Sequence, residues 1–172
     1  NKTELLKEGI VINEREWTWD DFFALSEKMT KDLNRDGVPD RYALAKSDEI
    51  WVRELFHHYY EKKYINHESK KANFGSHSFV EDLKRLKNAL DRYQNPKCDL
   101  TRLAYKPGEL STIYRSFVNG EFVFLSSSLA SYGESYMGNI DNNIELLFFP
   151  RTHKETDQVE FESSILVGIN VN

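Results

Sequence analysis

From Asp32 to Asp40 the chain reads Asp-Leu-Asn-Arg-Asp-Gly-Val-Pro-Asp, with oxygen-bearing side chains at alternate positions of a tight loop. Hard cations take oxygen ligands, and this spacing can turn several of them toward one centre. Asp32, Asn34 and Asp36 fill the first, third and fifth positions of an EF-hand-type loop. Gly37 supplies the sharp turn at the sixth, Val38 a carbonyl at the seventh and Asp40 an oxygen at the ninth. The twelfth position departs from the pattern, since Ala43 stands where the bidentate Glu belongs, and Arg41 brings a positive charge close by. Two readings stand side by side. One is a structural calcium that pins a helix end to the following strand; the other is a turn that Asp, Asn and Gly make through their backbone preferences alone.

The remaining chemistry-bearing residues form no catalytic set. His57 and His58 have Glu54 and Glu61 one turn away, but the His-Glu-x-x-His spacing is absent and neighbouring helical residues point about 100° apart. Solvated surface histidines are expected. Asp20-Asp21 suits a helix's first turn, where the dipole favours negative charge, better than a glycosidase carboxylate pair drawn from two sides of a cleft. Cys98 is the single cysteine, so no intrachain disulfide forms, and no nucleophile motif surrounds it. There is no Gly-rich phosphate loop and no Gly-x-Ser-x-Gly elbow. The expectation is a binding protein, not an enzyme.

Composition narrows the partners. The 172 residues include 23 basic and 28 acidic side chains, for a net charge of −5. The lysine clusters are interleaved with Glu and Asp, so the basic stripe that nucleic acid requires is missing. No apolar run reaches the roughly 20 residues that span a bilayer. The chain opens at Asn1 without Met and ends in apolar sequence, and we read it as a single domain, 1–172, excised from a larger protein.

The elements that must position these residues follow from periodicity. Thr18 can cap a helix whose apolar face carries Trp19, Phe22, Phe23, Ser26, Met29 and Leu33. Tyr42 to Ala45 reads as a strand, and Asp48 opens a second helix with Trp51, Leu55, Phe56, Tyr59 and Tyr60 on its heavier side. Glu61 to Asn73 is expected to be a loop or hairpin. Ser78 and Glu81 form a capping box for a third helix with a Phe79, Leu83, Leu86, Leu90 stripe. Asn95-Pro96-Lys97 reads as a turn. A shorter helix carries Leu110, Ile113, Tyr114 and Phe117 and stops at Asn119-Gly120. Glu121 to Leu125, Ile144 to Phe149 and Ser164 to Asn170 read as strands, giving an α/β sheet covered by helices.

Taken in order, these segments resemble the second lobe of family 1 extracellular solute-binding proteins, the maltose-binding-protein-like receptors of ABC importers. Thr18-Trp19-Asp20-Asp21-Phe22 is similar to that family's Thr-Trp-Asp-Glu-Phe helix start. Asp36-Gly37-Val38-Pro39-Asp40-Arg41-Tyr42-Ala43-Leu44-Ala45 is similar to its turn and strand, and Ser76 to Leu83 to its Ser-Pro-Glu-x-Val-Glu-Ala-Leu helix. Phe117-Val118-Asn119-Gly120-Glu121-Phe122-Val123-Phe124 matches its Phe-x-x-Gly-Lys-x-Ala-Met segment, and Phe148-Phe149-Pro150 its strand end. Departures lie at Ser126-Ser127-Ser128 and Tyr132, which replace an expected Gly-x-Trp, and at Lys62-Lys63, where a Gly-Gly turn is usual.

The resemblance implies a periplasmic-binding-protein-like lobe with a mixed β-sheet, one wall of a cleft that closes on a carbohydrate or related small solute. It implies an extracytoplasmic parent, a surface lipoprotein or a periplasmic protein, that delivers solute to the membrane permease subunits of an ABC importer. Cleft-side positions are Lys46, Ser47, Asp48, Glu49 and Trp51, with Ser126, Ser127, Ser128 and Tyr132. For Trp51, helical spacing with Leu55 offers core packing as the alternative to stacking on a sugar; Trp17 and Trp19 are assigned to packing. A reading of a different class is a calcium-stabilised protein-interaction module of a bacterial surface protein, with no small ligand.

Overall fold

The computed structural model describes residues 1–99, 109–126, 144–145 and 147–152. A short α1 (Lys2–Lys7) precedes α2 (Trp19–Met29), β1 (Tyr42–Lys46) and α3 (Asp48–Leu55). A π turn (Phe56–Tyr60) carries α3 into α4 (Glu61–Tyr64), and β2 (Ile65–Asn66) and β3 (Lys71–Ala72) make a small antiparallel hairpin. Then come α5 (His77–Tyr93), β4 (Gln94–Asp99), α6 (Glu109–Val118) and β5 (Phe122–Phe124).

β1 is central, with β4 and β5 both parallel to it in the order β4-β1-β5. Among the described residues the expected mixed sheet is thus a parallel one, with the antiparallel hairpin set apart. Parallel strands need helical crossovers, and covering both faces explains why Ala43, Leu44 and Ala45 are buried in succession. A larger core gathers α2, α3 and α5 with Val123; a smaller one joins Ala45, Cys98, Ile113, Phe117 and Phe122 beneath α6. No helix among the described residues is long and apolar enough to cross a membrane.

α2 begins as expected, and more fully. Thr18 Oγ1 accepts from the Asp21 amide (3.2 Å), and Asp21 Oδ2 accepts from the Thr18 amide (3.0 Å). Phe22 then sits among Trp17, Trp19, Phe23, Trp51 and Phe124, with ring centroids 5.4 to 5.9 Å away. The helix stops at Met29 because Thr30 turns extended and Lys31 pairs with Arg41. Leu33, assigned to the same apolar face, is therefore exposed.

Three other expectations are corrected. The cap of α5 is Ser76, whose Oγ accepts from the Phe79 amide (3.3 Å), so Ser78 lies inside the helix. Gln94 to Asp99 is a strand where a turn was expected. It tolerates Pro96 because it stands at an edge of the described sheet, at the place where the register slips from Ala45–Asn95 to Lys46–Asp99. The described part of Ile144 to Phe149 forms no strand. Phe149 stacks on Trp19, the Phe148 amide donates to Glu14 Oε1 (3.3 Å), and just beyond the segment Arg151 makes an isolated parallel bridge with Thr18. The expected strand at Ser164 to Asn170 lies outside the described residues.

Candidate functional site

The loop between α2 and β1 is wound around its own carboxylates. Asp32 Oδ1 accepts from the amides of Arg35 (2.6 Å) and Asp36 (3.2 Å), and its Oδ2 from Gly37 (2.8 Å). Asp36 Oδ1 accepts from the Val38 amide (2.8 Å), and Asp40 Oδ2 from Leu33 (2.7 Å) and Asn34 (3.0 Å). The Asn34 side-chain nitrogen lies 3.1 Å from both Asp36 Oδ2 and Asp40 Oδ1. Gly37 adopts φ +90°, the turn its position demands. The donor chemistry suits a hard cation. The carboxylates are nonetheless held by amides, and among the described residues no group of three or more Asp, Glu, His or Cys side chains is gathered as a metal centre.

Two doubts raised by the residues alone resolve differently. Arg41 does not face the loop: its guanidinium is buried and bonds Glu4 (2.9 Å), Glu8 (2.9 Å) and the Met29 carbonyl (3.0 Å). Ala43, in contrast, is fully buried in β1 and leaves the twelfth position without a ligand. Asp36, Val38 and Asp40 also line an open cleft of about 420 Å³ with Tyr42, Lys97 and Glu121, beside the amino ends of β1 and β5.

The expected solute residues lie at the other edge. From β1 the chain steps outward to β4 and then back across β1 to β5, so strand order reverses at β1. Open α/β sheets seat ligands outside the carboxyl ends of their strands at such a reversal. Lys46 closes β1 with its ammonium 3.9 Å from Asp99, at the end of β4. Ser47 caps α3, and Asp48 and Glu49 form its first turn, though the placement of their side chains falls outside what is described. Ser126 follows β5 and is half-buried; Ser127, Ser128 and Tyr132 lie outside the described residues. Trp51 is in the core. It is 4% exposed, packs on Phe22 and donates its indole N–H to the Ala45 carbonyl (3.4 Å), which is the packing alternative.

One residue whose side chain reaches Ser47 at this edge was missed. Gln94, at the start of β4, accepts the Ser47 amide on its side-chain oxygen (2.9 Å) while its nitrogen has no partner. Reading Asn95-Pro96 as a turn hid it; an amide side chain just after a long amphipathic helix was the available signal. The histidines also gain a neighbour that spacing could not supply, because the hairpin brings His67 to Glu61 (3.2 Å), which His57 reaches from the other side (3.6 Å). All three are substantially solvated. No protein-family model matches the chain, and no curated protein shows significant similarity to it. What the fold defines is an α/β protein whose parallel sheet is flanked by helices.

Proposed function

We propose that the chain is one wall of a two-lobed extracytoplasmic receptor, a periplasmic-binding-protein-like lobe that captures a carbohydrate or related small solute for an ABC importer. The observation that carries this reading is the position of Lys46, Ser47 and Ser126 at the carboxyl edge of a parallel sheet whose strand order reverses at β1. Lys46 and Ser126 are accessible enough to pair solute hydroxyls, and Trp51 serves by locking α3 against α2. A second lobe closing over this edge would supply the other half of the contacts and exclude water. Alone, this wall binds weakly.

Calcium belongs to the proposal as a structural ion. Asp32, Asn34, Asp36, Asp40 and the Val38 carbonyl would hold it, and it would neutralise three neighbouring carboxylates. Its position between α2 and β1 ties the loop to the strand that ends at the solute edge. The second reading, a protein-interaction module, draws support from Val52, Phe56, Phe74, Val80 and Leu83, apolar side chains that are 38% to 43% exposed.

Thermal melting against a saccharide panel tests the two. A bound sugar at ~100 times its Kd adds about 2.7 kcal/mol, and melting rises with one sugar class. A flat panel with well-folded protein removes the sugar and leaves a non-sugar solute or the interaction module.

A further inference from the structure

The open cleft of about 420 Å³ beside the amino ends of β1 and β5 divides by polarity. β4 supplies its donors. Lys97 is exposed, and its ammonium makes no ion pair or hydrogen bond among the described residues. Asn95 is only 3% exposed; its side-chain oxygen accepts the Lys97 amide (3.0 Å), which leaves its NH2 group without a partner in the cleft wall. The acceptors come from the loop before β1 and from the entry to β5. Asp36 and Asp40 are engaged by loop amides and Asn34, whereas the half-buried Glu121 carboxylate has no hydrogen bond or ion pair among the described residues. Tyr42, on the central strand between β4 and β5, has an unbonded hydroxyl. Burial, then the Asp40 charge, push its phenol up, so it stays protonated. Opposite charges attract, yet Lys97 and Glu121 line one cleft without meeting, because β1 lies between them. A ligand with charges of matching, opposite polarity can span that space.

We infer that this cleft binds a free neutral amino acid, its carboxylate on Lys97 and Asn95 and its ammonium on Glu121. The site lies away from the carboxyl edge and does not depend on the sugar reading. An ammonium and an amide NH2 can only donate, so the ligand group between Lys97 and Asn95 must accept. Ionised Glu121 can only accept, and the Tyr42 ring adds attraction for a cation. Val38, 57% exposed, and Pro39 offer apolar cover for an aliphatic side chain. Acidic amino acids are excluded, because Asp36, Asp40 and Glu121 set three carboxylates against the single ammonium of Lys97. Calcium in the loop would share Asp36 and Asp40 with this cleft, so the two are tested apart.

Amide NMR of the chain in EGTA, titrated with leucine, isopentylamine, 4-methylpentanoate and glutamate, tests this. Saturable shifts of the Tyr42 and Lys97 amides and the Asn95 side-chain NH2 are expected with leucine. The amine and the acid, each one half of leucine's charge pair, should bind more weakly, and glutamate weakest. Lys97→Met and Glu121→Gln should each weaken leucine binding about 2- to 5-fold, the worth of an exposed ion pair. Lys97→Met should keep the melting temperature and bind isopentylamine as well as before or better, which a damaged fold could not do. No saturable shift with leucine would overturn the inference. Leucine and isopentylamine binding alike, both indifferent to Lys97→Met, would reduce the cleft to an acidic surface for amines and overturn it too. A preference for glutamate would reverse the assigned polarity with the same consequence.

Discussion

Glycine is demanded at two positions of this chain for different reasons, and the difference can be measured. Gly37 has φ +90° with nothing within 4 Å of where a Cβ would stand, so Gly37→Ala meets only the backbone penalty of the left-handed region, about 1–2 kcal/mol. Gly120, at φ +78°, would place its Cβ 2.7 Å from Glu4 Oε1. Gly120→Ala therefore carries the same penalty and also displaces Glu4 from Arg41, and urea denaturation should show it to be the more destabilising of the two. The Arg41 cluster itself responds to acid. Burial pushes the Glu4 carboxyl up, but hydrogen bonds from Lys7 and Arg41 outweigh it and hold the group below its ordinary value of 4.5. Hydrogen bonds from Lys31 and Arg41 bring Glu8 down to about 2. Both carboxyls are depressed on folding, so their contribution is complete above pH 4.5 and is lost as pH falls toward 2. Arg41→Met should lose about 3–5 kcal/mol at neutral pH and show a shallower decline over that acid window in urea titrations at successive pH values. An unchanged acid slope would show that Arg41 does not control these groups.

At the level of elements, the start of α5 separates local pattern from tertiary choice. Ser78 and Glu81 satisfy the capping-box spacing, yet Ser76 is the cap, because Asn73 to Ser76 turns off the hairpin and fixes where the helix can begin. Ser76→Ala should cost about 1 kcal/mol, whereas Ser78→Ala, inside the helix, should cost only a few tenths or nothing. Equal effects in thermal denaturation would contradict the assignment. The joint from α3 to α4 is held similarly by distant residues. Lys63 Nζ donates to Tyr59 Oη (2.8 Å) and to Asp82 Oδ2 (2.8 Å), and Tyr64 Oη donates to the same carboxylate oxygen (2.6 Å). A lysine that the sequence places in a polar loop thus becomes a clasp between α4 and α5.

For the molecule as a whole, the carboxylate-rich loop of residues 32–40 and the carboxyl edge of the sheet sit at opposite ends of β1, so effects at the two are separable. Chelation with EGTA should lower the melting temperature without abolishing the fold, and Asp32→Ala should remove that response. A melting curve indifferent to calcium and chelator would leave the loop as a turn stabilised by its own amides. Neither outcome alters the saccharide experiment, which reads the carboxyl edge.

Local chemistry in the sequence determined much of this. Thr18 with Asp21, Asn119-Gly120, and the apolar stripes of α2 and α6 specify helix starts, stops and buried faces through interactions a few residues long. Tyr42 to Ala45 and Glu121 to Leu125 were likewise legible as strands from their apolar runs, and the oxygen spacing of the loop was visible outright. Only the tertiary structure decided what long-range packing chooses among locally equal options. It turned Arg41 away from the loop toward Glu4 and Glu8, made a strand of Gln94 to Asp99 by pairing it with β1, and buried Trp51 against Phe22. It also set Gln94 beside Ser47, 47 residues apart in the chain. No local periodicity encodes that pairing, because the free energy that selects it arises when the strands meet.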